Sequence, residues 1–187
     1  MKKKLLLFDL DGTLYDTREV NFLSYQKALA QENIHLDRDF YYTHCNGRYY
    51  KDYLPDISST ITSKQMERIH EAKKRFYAAS LNAAKENLLL FDLITSLSPA
   101  YHIGLVTTAS RKNALDILNA FHRSELFELI ISQEDVINKK PDPEGYLKAM
   151  DHFHIAPTDT TIFEDSDPGL KAAAASQAHY IKVFGYN

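Results

Sequence analysis

The chain has 187 residues, 44% of them hydrophobic, and a formal net charge of −3, which suits one substantial core with a small subdomain and excludes a nucleic-acid binder relying on general basicity. A single cysteine, Cys45, excludes an internal disulfide and a cysteine-based structural zinc site. The start Lys2-Lys3-Lys4 followed by Leu5 to Phe8 faintly suggests a leader, but its apolar run stops at Asp9, too soon for a signal core or a membrane span, so a cytoplasmic protein with no membrane partner is expected.

In chain order, Leu5-Leu6-Leu7-Phe8 predicts a buried strand near residues 4 to 9 that runs into Asp9-Leu10-Asp11-Gly12-Thr13. Residues i and i+2 of an extended chain point to one side, so Asp9 and Asp11 are expected to face one pocket, with Gly12 letting the chain turn past them. Two carboxylates so close repel, and a divalent cation is the usual remedy. The competing reading is a surface turn, for which Asp-Gly is a common dipeptide. The next roughly 75 residues hold no convincing strand: Phe22, Tyr25 and Leu29 mark one helix, and Met66, Ile69 and Phe76, with Ala79 and Ala83, a longer one. Within this stretch Asn46-Gly47-Arg48 sits among Tyr41, Tyr42, Tyr49, Tyr50 and Tyr53. Arg48 is a candidate for the non-reacting end of a substrate, because a guanidinium grips carboxylate or phosphate with two donors. The alternative is a solvated Arg48 beside tyrosines that pack a core.

Strands are then predicted near 102 to 107, 128 to 132, 160 to 164 and 179 to 184, short runs of Leu, Ile, Val and Phe as expected of buried parallel strands. The first of these ends in Thr107-Thr108-Ala109-Ser110, and Leu115, Leu118 and Phe121 mark the helix after it. A basic loop, Asn138-Lys139-Lys140-Pro141-Asp142-Pro143-Glu144, leads into a helix carrying Tyr146, Leu147 and Met150, with Pro143 near its first turn. The strand at 160 to 164 ends at Glu164-Asp165-Ser166, and an alanine-rich helix spans Leu170 to Ala175. His152 and His154 read as flanking a helix end. Alternating strand and helix predicts an α/β fold, a doubly wound parallel sheet whose ligand sits beyond the carboxyl ends of the strands, where all the polar clusters fall.

Acid pair, hydroxyl, lysine, acid pair is the order along the chain, and it resembles the four motifs of the haloacid dehalogenase superfamily of phosphohydrolases. Asp-x-Asp-Gly-Thr matches at Asp9 to Thr13, the strand ending in a hydroxyl at Thr107, and the lysine at Lys140 before Pro141. Glu164-Asp165-Ser166 with Gly169 matches the fourth motif in the variant of the phosphoglycolate phosphatase and beta-phosphoglucomutase branch, without the second Asp that other branches carry. The resemblance implies a Rossmann-like core over 1–15 and 89–187, with a small helical cap over 16–88 after the first strand. It implies Mg2+ held by Asp9, the main-chain carbonyl of Asp11, and Asp165, with Glu164 a further ligand.

On the same resemblance Asp9 is the nucleophile that takes a phosphoryl group, and Asp11 the acid and base. Thr107, with backbone N–H groups near Leu10 and Thr108, would hold the phosphoryl oxygens, and Lys140 would offset the anionic cluster. The competing readings are a strand-end cap for Thr107, a solvated loop lysine for Lys140 and a helix cap for Glu164-Asp165. The expected partner is a small phosphorylated metabolite, such as phosphoglycolate, a sugar phosphate or a nucleotide, handled by a monomer or weak dimer. A phosphomutase of the same fold stays open. A phosphoacceptor signalling domain places its accepting aspartate on a later strand than its acid pair, unlike Asp9 here, and a regulatory protein that has lost catalysis would not need all four groups.

Overall fold

Leu5 to Phe8 have no room for water on either side, and the run folds as β1 (Lys4–Phe8), with all four of those residues buried. The computed structural model describes residues 2–46 and 48–184, so Gly47, in the centre of Asn46-Gly47-Arg48, lies outside the described residues. After β1 the chain turns into a two-residue strand, β2 (Tyr15–Asp16), and then enters a helical unit over residues 17–84.

That unit is built from α1 (Arg18–Ala30), a short α2 (Arg38–Phe40) running into a wide π turn at Tyr41–Cys45, α3 (Tyr50–Ile57) and α4 (Ser63–Ala78). Phe22, Tyr25 and Leu29 from α1 share one core with Tyr41, Tyr53, Leu54 and Ile69. The tyrosine-rich stretch is therefore mostly interior: Tyr25 and Tyr53 meet edge to face at 5.6 Å, and Tyr50 stacks on His70 at 4.0 Å. Thr62 and Gln65 close a reciprocal cap on α4, satisfying two backbone donors at its start. Ala79 and Ala83 fall beyond α4, Ala83 in a 3-10 turn.

The second unit comprises residues 1–16 and 85–187. It begins again at β3 (Lys85–Glu86), which pairs antiparallel with β2. This ribbon is why residues 85–88 and Asp16 lie with the sheet, whereas the sequence predicts 16–88 as one insert. Tyr15 packs between Phe91 and Phe121 at 5.3 and 5.2 Å, and Glu86 is tied to Arg123 at 2.8 Å. Asn87 then caps α5 (Leu88–Leu97) by accepting from the Leu90 N–H.

From there strand and helix alternate: β4 (Tyr101–Val106), α6 (Arg111–Ala120), β5 (Leu129–Ile131), α7 (Glu144–Phe153), β6 (Thr160–Glu164), α8 (Asp167–Ala175) and β7 (His179–Lys182). The sheet is parallel in the order β5-β4-β1-β6-β7. The fold is thus α/β, a parallel sheet flanked by helices with a helical insertion. Tyr146, Ala149 and Met150 of α7 and Ala172 and Ala173 of α8 pack on the face carrying Leu5 and Leu7. Leu147, expected on that face, is 45% exposed, because it sits one residue round the helix from Tyr146. On α6 the buried stripe is Ala114, Ile117 and Leu118. Among the described residues no helix is long and apolar enough to cross a membrane.

Candidate active site

β1 lies in the middle of the sheet with β4 and β6 as neighbours, so the residues that leave these three strands converge. Asp9 extends the ladder by one residue, its N–H donating to the Phe163 carbonyl at 3.0 Å, and is 7% exposed. The extended run then stops. Leu14 and Tyr15 N–H groups both return to the Leu10 carbonyl, and Gly12 adopts φ +96, a conformation open to glycine without strain. A Cβ on Gly12 would also run into the Asp165 carboxylate. The chain leaves strand geometry after Asp9, so strand alternation does not by itself aim Asp11 into the pocket of Asp9. The carboxylates that gather are Asp9, Glu164 and Asp165, each offering an oxygen within 4.8 Å of the others. Asp11's carboxylate is not among them. Residue 9 and residue 165 are thus close enough to share one ion.

Lys140 reaches this cluster from the loop before α7. Its Nζ donates to Asp9 Oδ1 at 2.6 Å, Glu164 Oε1 at 2.7 Å and the Val106 carbonyl at 3.0 Å, which uses all three ammonium donors. The side chain is 8% exposed, so the solvated-loop reading of this lysine is wrong. Glu164 is wholly buried at the end of β6, with Oε1 on Lys140 and Oε2 accepting from both the N–H and the hydroxyl of Ser166. Ser166 in turn accepts from the Gly169 N–H and so caps α8. The cap of α8 is thus Ser166, the residue after the acid pair, while Glu164 itself is buried and does not cap the helix. Gly169 has no space for a Cβ, which would meet the Glu164 carboxylate.

Asp165 accepts from the Thr13 hydroxyl at 3.0 Å. Thr13 carries no role in the sequence beyond a letter of its motif, and the partner lies 152 residues away, beyond any local signal. Burial pushes the Asp9 carboxyl well above the usual carboxylate range, with the Lys140 charge opposing and Glu164 and Asp165 reinforcing. Burial and the Glu164 charge lift Asp165 to about 6. Burial alone would lower the Lys140 ammonium, but the charges around it, Asp9 foremost, hold it above its ordinary value. One ammonium therefore stands against two buried carboxylates with a third, partly exposed, close by, and such a group of oxygen donors fits a hard divalent cation such as Mg2+.

Thr107 is buried at the end of β4 and its Oγ accepts from the Ala109 N–H at 3.0 Å, leaving the hydroxyl hydrogen available to donate. Thr108 is exposed beside it. Arg48 does not present an open fork: Nη1 donates to the His44 carbonyl at 2.6 Å and to Asp56 at 3.1 Å, and Nη2 to the Asp52 carbonyl at 3.0 Å. It braces the π turn against α3 inside the helical unit. Cys45 is buried, and burial pushes its thiol up to about 11, which disfavours the reactive thiolate.

Residues 6–183 match the family model of haloacid dehalogenase-like hydrolases. The chain is 27% identical to a "Phosphorylated carbohydrates phosphatase" of Thermotoga maritima over 91% of its own length and 80% of that protein's. It is 27% identical to a "Beta-phosphoglucomutase" of Bacillus subtilis over 90% and 78%. The solved structure of CbbY from Rhodobacter sphaeroides in complex with phosphate superposes with a TM-score of 0.84 at 25% identity, covering all of this chain and 88% of that one. With acids and a hydroxyl at the ends of adjacent parallel strands and a lysine reaching the acids from a loop, this chain belongs to the haloacid dehalogenase-like hydrolases and is an enzyme of the phosphatase type.

Proposed function

We propose that the protein is a Mg2+-dependent phosphatase that hydrolyses a small phosphate monoester through an aspartyl-phosphate on Asp9. The observation that carries this reading is the contact of Asp9 with Lys140 on one side and its ion-sharing distance from Asp165 on the other. Asp9 and Asp165, with the Asp11 carbonyl, would hold Mg2+, which when bound offsets the charge of the approaching phosphate. Glu164, with both oxygens engaged by Lys140 and Ser166, acts better as the anchor of the lysine than as a ligand.

An Asp9 carboxylate oxygen attacks phosphorus in line while the bond to the leaving alcohol oxygen breaks, and Asp11 gives that oxygen its proton. Thr107 donates its hydroxyl hydrogen to a phosphoryl oxygen, and the backbone N–H groups near Leu10 and Thr108 serve the others. Lys140 keeps Asp9 oriented and favours its ionised form against the burial that opposes it. In the second half Asp11 takes a proton from water, whose oxygen attacks the aspartyl-phosphate and releases inorganic phosphate and free Asp9.

The relative named for phosphorylated carbohydrates favours a sugar phosphate over phosphoglycolate or a nucleotide. A phosphomutase is the second reading, favoured by the relative named as one. Release of p-nitrophenol from p-nitrophenyl phosphate with and without Mg2+, then a panel of phosphorylated metabolites scored for free phosphate, tests both. Hydrolysis that needs Mg2+ and vanishes in Asp9→Asn is expected, with Asp11→Asn sparing binding more than turnover. Isomerised sugar phosphate without phosphate release would favour the mutase, and no turnover of any ester would sink the proposal.

A further inference from the structure

A lysine ammonium travels on four methylene groups, so its charge is well placed only if something limits the stem. Its acceptors Asp9, Glu164 and Val106 fix the directions of its hydrogen bonds. Beneath them lies Tyr146, whose ring centroid is 5.1 Å from Lys140 Nζ, within the range where a cation is attracted to an aromatic face. Tyr146 is 1% exposed, and its hydroxyl is 3.4 Å from the same Glu164 oxygen that Lys140 engages. One side chain therefore touches both Lys140 and its anchor. Six positions separate lysine from tyrosine, and the turn through Pro143 into α7 brings the ring under the ammonium. The hydroxyl contact is at the long limit for a hydrogen bond, so the ring face is the stronger of the two contacts.

We infer that Tyr146 is a positioning residue for phosphoryl transfer: its ring face sets the depth at which the Lys140 ammonium stands and so holds that charge against Asp9. This rests on the proposed function, since the effect is read through Asp9. Tyr146 meets neither substrate nor the reacting atoms, and no bond to it forms or breaks.

The test keeps shape and changes only the electrostatics of the face. Tyr146→Phe retains the electron-rich ring; Tyr146→pentafluorophenylalanine keeps the outline and reverses the sign of the face. With p-nitrophenyl phosphate, Tyr146→Phe is expected to keep kcat within about threefold of the parent, whereas the fluorinated variant loses about tenfold in kcat with KM within about twofold. A role in packing alone would treat the two rings alike. Equal kcat in the two variants, at matched melting midpoints, overturns the inference, as does a loss confined to KM. An active parent with matched variants removes this inference alone; a parent inactive on every ester removes the functional reading and this inference with it.

Discussion

At the scale of single residues, much of the site is tied down by its own contacts. Lys140 has no spare donor, Glu164 has both oxygens occupied, and Asp165 is held by Thr13, so each is pre-set before a ligand arrives. Arg48 is tied down too, but for another purpose. Its ion pair with Asp56 is about half exposed on both sides, a setting in which a pair adds at most about 1 kcal/mol, yet it also closes the carbonyls of His44 and Asp52. Arg48→Ala is expected to lower stability by about 1–2 kcal/mol and to change KM for the physiological ester and for p-nitrophenyl phosphate by the same factor. Denaturant melts and paired kinetics check this; a rise in KM confined to the larger ester would restore Arg48 as a substrate contact. Asp9, Thr107 and Asp165 stand out in the sequence because each directly follows an apolar strand, and Lys140 because it precedes Pro141 in the loop that leads into α7. For Arg48 the sequence leaves a substrate contact and a packing role open, because two-donor recognition is as good for main-chain carbonyls as for a ligand, and spacing does not tell them apart.

At the scale of elements, the parallel strands were legible as apolar runs, while the ribbon of Tyr15-Asp16 with Lys85-Glu86 was not. Two-residue strands carry no period, and their pairing bridges a whole inserted unit. The insert's own core is legible in the apolar faces of two helices and in its tyrosines; that His70 is part of it follows from its stack on Tyr50 and its hydrogen bond with Tyr25 at 3.1 Å. Burial, with Lys74 and Lys73 nearby, lowers the His70 ring to about 4. The unfolded ring takes up a proton below its ordinary 6.5, whereas the folded one resists until about 4. The contribution of His70 is therefore full above 6.5 and lost as pH falls toward 4. After discounting for partial exposure it amounts to about 1 kcal/mol. His70→Phe keeps a ring against Tyr50 and cannot titrate, so its melting midpoint should fall less than the parent's between pH 7 and pH 5. Parallel falls in the two proteins would show that His70 stays solvated.

At the scale of the whole molecule, the formal net charge is −3, and three carboxylates are gathered at the carboxyl ends of β1 and β6, where the topology brings them together. The fold holds those carboxylates against their own repulsion. Asp165 shows the sign: its folded pKa, about 6, lies above the ordinary 3.8, so its protonated form is favoured in the folded state and stability is lost as pH rises through 6. At pH 7.5 and without metal, ionised Asp165 thus works against folding, by about 1 kcal/mol once partial exposure is discounted. Asp165→Asn, which keeps an oxygen for Thr13, should melt higher than the parent in EDTA at pH 7.5. Mg2+ should reverse the ranking, since a cation bound only by the folded parent adds about 2.7 kcal/mol at a hundredfold excess over its dissociation constant, while the variant gains far less. Thermal melts of both proteins, with EDTA and with saturating MgCl2, give four midpoints; an equal upward shift in both on adding Mg2+ would mean that Asp165 is not where the ion sits.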